Sequence, residues 1–198
     1  MTRSRTLAAM LALAAIVVAA GSGTWAAYTA ITDNAGNRID SGTVKLDDND
    51  GGSAILSLAA AEPGASDSGC IKVAFAGSLP STVRLYGTTG GTGLDAYLGL
   101  RVTRGTYIGA EPAFASCNNF QPDPTSYIGR GAGVIYDGTL QAYPDSYAGG
   151  IVDPPSGGPE SWTSGESHVY EVEVTLRHNL AAQGLTATQQ FTWEARNQ

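Results

Sequence analysis

The chain has 198 residues, 42% apolar, 15% charged and 8% aromatic, with 26 Gly and 9 Pro. That composition suits one domain with a real core and many turns, and excludes a disordered polyelectrolyte or a long solvated helix. Lys and Arg number 11 against 18 Asp and Glu, for a net charge of −7, so nucleic-acid binding has no electrostatic support.

The chain opens with an export leader. Arg3 and Arg5 form a short basic start, and Leu7 to Ala20 is an unbroken apolar run. The run is shorter than the roughly 20 residues a membrane span needs, and fits a signal-peptide core. Small residues follow in Gly21-Ser22-Gly23-Thr24-Trp25-Ala26-Ala27. Cleavage is expected between Ala27 and Tyr28, with an uncleaved N-terminal anchor as the alternative and the one membrane attachment expected. The organisation is then a signal peptide at 1–27, an N-terminal extension at 28–40 and a β-sandwich domain at 41–198. Removing the leader takes away two Arg and no acid, so the mature chain is more acidic still.

The mature chain reads as short strands. Thr43 to Asp47 alternates with period two, Asp50-Gly51-Gly52 supplies a turn, and Ala54 to Leu58 resumes the alternation, which predicts a hairpin. Ile71, Val73 and Phe75 share a face, and Val83-Arg84-Leu85 continues the pattern. Leu98, Leu100 and Val102 oppose Gly99, Arg101 and Thr103. Val134 to Leu140 is a further strand, irregular or bulged at Gly138. Tyr170, Val172, Val174 and Leu176 alternate against Glu171, Glu173 and Thr175, and Phe191, Trp193 and Ala195 make the last apolar face. Leu180 to Gln183 suits one helical turn, ended by Gly184. The stretch from Gly105 to Gly165 reads as a single strand among long loops. About eight strands with one buried face each imply an all-β fold, a two-sheet β-sandwich or jelly roll with long loops, preceded by an N-terminal signal helix.

Export sets how the cysteines read. Cys70 and Cys117 are the only pair, and in an oxidising compartment an even pair points to one disulfide, with two buried thiols as the alternative. Such a bond closes a loop of about 48 residues and stabilises by about 4 kcal/mol on the chain-entropy model.

The leader and the first strand carry a resemblance. Gly21 to Tyr28 is similar to the signal region of the TasA and camelysin family, and Ser41-Gly42-Thr43-Val44-Lys45-Leu46 resembles that family's first strand. The Pro63-Gly64 turn, Gly69-Cys70-Ile71, Val83-Arg84-Leu85-Tyr86-Gly87 and Phe191-Thr192-Trp193-Glu194-Ala195 resemble its actinobacterial members. The resemblance implies a secreted jelly-roll subunit of extracellular fibres in a biofilm matrix, found at the cell surface or in the matrix. It also implies a SipW-type signal peptidase as processing partner, and a homo-polymer or a co-polymer with related matrix subunits as the product. Assembly in that family is similar to donor-strand exchange, in which the freed N-terminal segment of one subunit completes the sheet of the next. Here Tyr28, Ile31 and Ile39 are the candidate donor residues. Residues 28–40 are too few to fold alone; docking on another copy, pairing with their own sheet and remaining free are the three fates open to them. Docking from copy to copy is heterologous and propagates as a filament.

Other chemistry has weaker support. Camelysin-type relatives are described as metallopeptidases, but the mature chain holds only His168 and His178, with no HExxH. On one extended strand those rings would lie about 33 Å apart and could not share a metal. Both read as solvated strand-end residues. Asp47-Asp48-Asn49-Asp50-Gly51 misses the EF-hand spacing and reads as turn chemistry, with weak calcium binding as the lesser option. Gly90-Gly91-Thr92-Gly93 lacks the Lys of a phosphate loop, and no Gly-x-Ser-x-Gly occurs. No catalytic residue, metal or cofactor is expected. Tyr107, Tyr127, Tyr136, Tyr143, Tyr147 and Trp162 supply the leading alternative, a monomeric cell-surface adhesion or carbohydrate-binding module.

Overall fold

The structure, a computed structural model, describes residues 29–30, 44–58, 61–155 and 161–197. The leader, the Ala27–Tyr28 cleavage point, and Ile31 and Ile39 lie outside the described residues.

Among the described residues, eleven strands form two antiparallel sheets. The first contains β1 (Thr29–Ala30), β11 (Ala187–Asn197) and β4 (Ser81–Gly91) in that order. On the far side of β4 lie β8 (Ile151–Val152) and β9 (Ser161–Trp162), each against a different stretch. The second runs β2 (Leu46–Asp48), β3 (Ser66–Phe75), β10 (Ser167–Leu176), β5 (Leu98–Tyr107). Both β6 (Phe120–Pro122) and β7 (Val134–Thr139) pair with the outer side of β5. The two inner faces meet as a sandwich. Val83, Leu85 and Ala195 come from the first sheet, and Ile71, Val73, Phe75, Leu100, Val102, Tyr170 and Val172 from the second, all essentially without solvent contact. The alternation seen in the sequence is what makes this possible, because successive side chains of a strand point to opposite faces.

Leu180–Ala182 forms a 3-10 turn, with Gly184 at φ +73°, as its residues predict. The predicted hairpin through Asp50-Gly51-Gly52 is not formed. The turn is there, with both glycines at positive φ and Ser53 N–H donating to Asp50 O at 3.0 Å. Its outgoing arm is no strand, and β2 pairs with β3 instead. The Ser57 N–H donates to the Asp67 carboxylate at 2.8 Å, and the Ile55 backbone lies where a Cβ on Gly69 would be. The arm is thus held across β3 by a side chain and a close approach to glycine. The bulge in β7 also moves: Thr103 faces Val134 and Val102 faces Tyr136, leaving Ile135 as the extra residue, while Gly138 pairs regularly with Leu100. The stretch from Gly105 to Gly165 carries β7, the strand read from the sequence, and also β6, β8 and β9, each too short to show a period.

The two cysteines are joined. The Cys70–Cys117 disulfide, with Cα atoms 5.1 Å apart, ties the β5–β6 loop across the outer face of β3. Cys70 N–H donates to Ala115 O at 3.2 Å beside it, and Cys70 is completely buried.

Candidate strand-binding site

Among the described residues, β11 is flanked by β4 on one side and by the short β1 on the other. β11 bonds β4 along its full length, from Ala187 opposite Gly91 to Asn197 opposite Ser81. On its other side, among the described residues, only Ala195 and Arg196 have a strand partner, in Ala30 and Thr29 of β1. Among the described residues, no strand pairs with that side of Ala187–Glu194, and a free strand edge is a template for an added strand.

Beside this edge, the two sheets part into an open cleft of about 1430 Å³. Among the described residues, it is lined by Phe191 and Trp193 of β11 and by Ile55, Leu56 and Leu58 of the arm after the turn. Ile71, Val73, Leu98, Val174 and Leu176 reach it from the core. Leu180 stands at its rim with 80% of its surface exposed. The indole Nε1 of Trp193 is buried without a hydrogen-bond partner. Cleft and edge together offer what an extended apolar segment needs, namely main-chain partners and side-chain pockets.

The C-terminal end of the edge is rigidly built. Glu194, 2% exposed, accepts from Tyr86 Oη at 2.7 Å and from Arg196 Nε at 2.8 Å. Burial and the hydrogen bond to Glu194 push the Tyr86 phenol up to about 12, so it stays a donor. Arg196 lies over the Tyr147 ring, 3.8 Å from its centre. This framework fixes the backbone where β1 sits.

A second constellation lies inside the sandwich. Arg104 continues the inward phase of Leu98, Leu100 and Val102, yet it is an arginine, and it is 5% exposed. Its Nε pairs with Asp153 Oδ1 at 2.9 Å, and its Nη1 with Asp123. Asp153 also accepts from Tyr170 Oη at 2.9 Å and Trp162 Nε1 at 3.1 Å. Burial works against the charge on Arg104, but Asp153 and the bond to Asp123 outweigh it and hold the guanidinium protonated. Complete burial pushes the Asp153 carboxyl up against the pull of Arg104 and His168. His168 belongs to the same cluster. Its Nε2 is 2.8 Å from Arg104 Nη2 and 2.9 Å from Glu166 Oε1, so it is an internal residue and not the solvated one its strand-end position suggests. His178, past the end of β10, is exposed.

Glu166 makes this cluster acid-sensitive. Burial pushes its carboxyl up, but bonds from His168 and Thr163 hold it below the ordinary glutamate value. A carboxyl lowered on folding contributes stability that is complete above its ordinary value and lost as pH falls through the folded one. Urea midpoints should therefore fall on acidification below about pH 4.5, and Glu166→Gln should flatten that decline. An identical pH dependence in the variant would remove Glu166 from this role.

The remaining residues singled out from sequence fall as follows. No group of His, Cys, Asp or Glu suited to a metal occurs among the described residues. At the acidic turn, Asp48 accepts from Asp50 N–H at 3.2 Å and Asp50 from Gly52 N–H at 2.6 Å, so these carboxylates serve the turn itself. Trp162 and Tyr143 are buried, Tyr127 Oη donates to Asp123 at 2.8 Å, and Tyr136 packs edge-on against Tyr143. Trp162 and Tyr143 thus build the interior, whereas Tyr107, Tyr127, Tyr136 and Tyr147 are half-buried. Sequence reasoning left open the pairing of Thr29–Ala30 with β11, since nothing along one strand says what lies beside it.

No protein-family model matches the chain, and no curated protein matches it. Among the described residues no helix is long and apolar enough to cross a membrane.

Proposed function

We propose that this protein is a secreted structural subunit of extracellular, biofilm-matrix fibres, similar to the TasA and camelysin family, whose copies join by N-terminal strand exchange. One observation carries the reading: among the described residues, β11 is bonded on the side away from β4 by β1 alone, and Ala187–Trp193 lines an apolar cleft. An N-terminal strand is already matched to this edge, so a second copy supplies a strand of the right chemistry. Each such contact uses a different surface on each partner, and so it extends as a filament. Export and cleavage between Ala27 and Tyr28 by a SipW-type peptidase free the donor, and the product stays at the cell surface or in the matrix. The proposal includes no catalytic step, because His168 is committed to Arg104 and Glu166. The sugar-binding alternative is disfavoured by the burial of Trp162 and Tyr143 and by the bond from Tyr127 Oη to Asp123.

The test compares residues 28–198 with residues 41–198 by light scattering and negative-stain microscopy. Fibres are expected from the longer chain alone. Two monomeric products of equal behaviour would overturn strand exchange and favour the sugar-binding module.

A further inference from the structure

The chain has two lysines, Lys45 and Lys72, and they are placed differently. Lys45 is exposed and pairs with Asp47, two residues on. Lys72 meets an asparagine amide across a shared glutamate. Its Nζ lies 2.7 Å from Glu111 Oε2, and Asn49 Nδ2 donates to Oε1 of the same carboxylate at 3.2 Å. The Lys72 backbone N–H donates to Asn49 Oδ1 at 2.9 Å. The amide is thus oriented at both ends, with its nitrogen toward Glu111 and its oxygen on Lys72. We propose that these three residues are a site of intramolecular isopeptide bond formation, in which Lys72 Nζ is acylated by the side-chain carbonyl carbon of Asn49 and ammonia leaves.

Three elements bring the groups together. The β2–β3 ladder ends with Asp48 opposite Val73, so Asn49 comes beside Lys72, and its side-chain oxygen takes a backbone N–H of β3 just past the last rung. Lys72 and Cys70 are two apart on β3 and share its outer face. The Cys70–Cys117 disulfide holds the β5–β6 loop over that face, and this loop carries Glu111. Glu111 rests as a carboxylate, held below the ordinary glutamate value by the bond from Lys72. It takes a proton from the Lys72 ammonium, and the freed Nζ lone pair attacks Asn49 Cγ. Charge developing on Oδ1 meets the Lys72 N–H, as in an oxyanion hole. Glu111 gives its proton to Nδ2 and takes the next one from Nζ as the Cγ–Nδ2 bond breaks. The Nζ–Cγ amide remains, and the last proton on Glu111 leaves with the ammonia as ammonium, so no oxidant or cofactor is consumed. A carboxylate is a far weaker base than an amine, so the neutral amine is scarce and the bond forms slowly. Folding supplies the proximity that the step needs.

Trypsin reads the bond directly, because an acylated lysine is no longer a cleavage site. The folded full-length chain is incubated with its disulfide closed, then unfolded, reduced and digested, and the peptides are weighed by mass spectrometry. Without the bond, cleavage after Lys45, Lys72 and Arg84 gives separate peptides 46–72 and 73–84. With it, one product spanning 46–84 accumulates, lighter than its sequence by one ammonia. That product is expected from folded protein and not from chains held in urea. Lys72→Arg should restore cleavage and the full mass. Glu111→Gln should slow the product's appearance on the order of a hundredfold, with urea midpoints reporting that both variants are folded. Absence of the 46–84 product after prolonged incubation would overturn the proposal. An ammonia loss that persists in Lys72→Arg would do the same, since it marks a succinimide at Asn49. Equal rates in the parent and in Glu111→Gln would overturn the role of Glu111 as proton carrier. The readout lies within residues 46–84, so it stands apart from strand exchange and from the leader.

Discussion

Replacing Asp153 with Ala is expected to lower the free energy of unfolding by about 3–5 kcal/mol, as breaking a buried ion pair does. Asp153 is fully buried and is the common acceptor for Arg104, Tyr170 and Trp162. Its loss leaves two buried donors without an acceptor and leaves the guanidinium with Asp123 as its remaining carboxylate. For a domain whose whole stability is about 5–15 kcal/mol, that is a large fraction. The urea midpoint should fall with an unchanged slope. Asp153→Asn keeps one oxygen acceptor and should lose less. The double change Arg104→Met with Asp153→Leu should also cost less than either single change, because an uncompensated buried charge is the main penalty. Strictly additive losses would show that the pair is not coupled.

Removing the Cys70–Cys117 bond has the second large effect. Opening a loop of about 48 residues should cost about 4 kcal/mol through the unfolded chain. The paired substitutions Cys70→Ser and Cys117→Ser should therefore lower the urea midpoint strongly. Reductant should destabilise the parent chain equally and leave the variant unchanged. Cys70 is covered by the β5–β6 loop, so faster hydrogen exchange is expected first in Ala113–Phe120, where the Cys70 N–H to Ala115 O bond now holds the loop to β3. Equal midpoints in oxidised and reduced protein would show that packing alone retains the loop.

The two predictions concern features of unequal legibility. The disulfide was legible as an even cysteine pair, which suits a bond in an oxidising compartment, whereas the fold decided that the two residues meet, with Cα atoms 5.1 Å apart. The charged cluster was half visible. Arg104 sits in the inward phase set by Leu98, Leu100 and Val102, so parity alone marks it as a buried cation. Its acceptor could not be read, since Asp153 lies in the loop-rich part and meets Arg104 only through the packing of the sheets. His168 shows the same limit: a strand-end position suggests solvent, and Trp162, Arg104 and Glu166 enclose it.

The failed hairpin shows why local pattern is insufficient. Residues 43–58 have the right alternation and the right turn, but β2 meets a longer partner in β3, and Asp67 and Gly69 hold the other arm. Strand pairing is a competition among all available edges, and a sequence window contains only the nearest.

By itself, the sequence determined that the chain is all-β, which face of β3, β5, β10 and β11 is buried, and that Cys70 and Cys117 are suited to a bond. These properties follow from period-two alternation and from chemistry carried by single residues. Only the tertiary structure decided that Thr29–Ala30 pairs with the end of β11, and that, among the described residues, an apolar cleft lies beside the rest of that strand. Which strand pairs with which depends on where distant strands come to rest, and that is a property of the whole sheet.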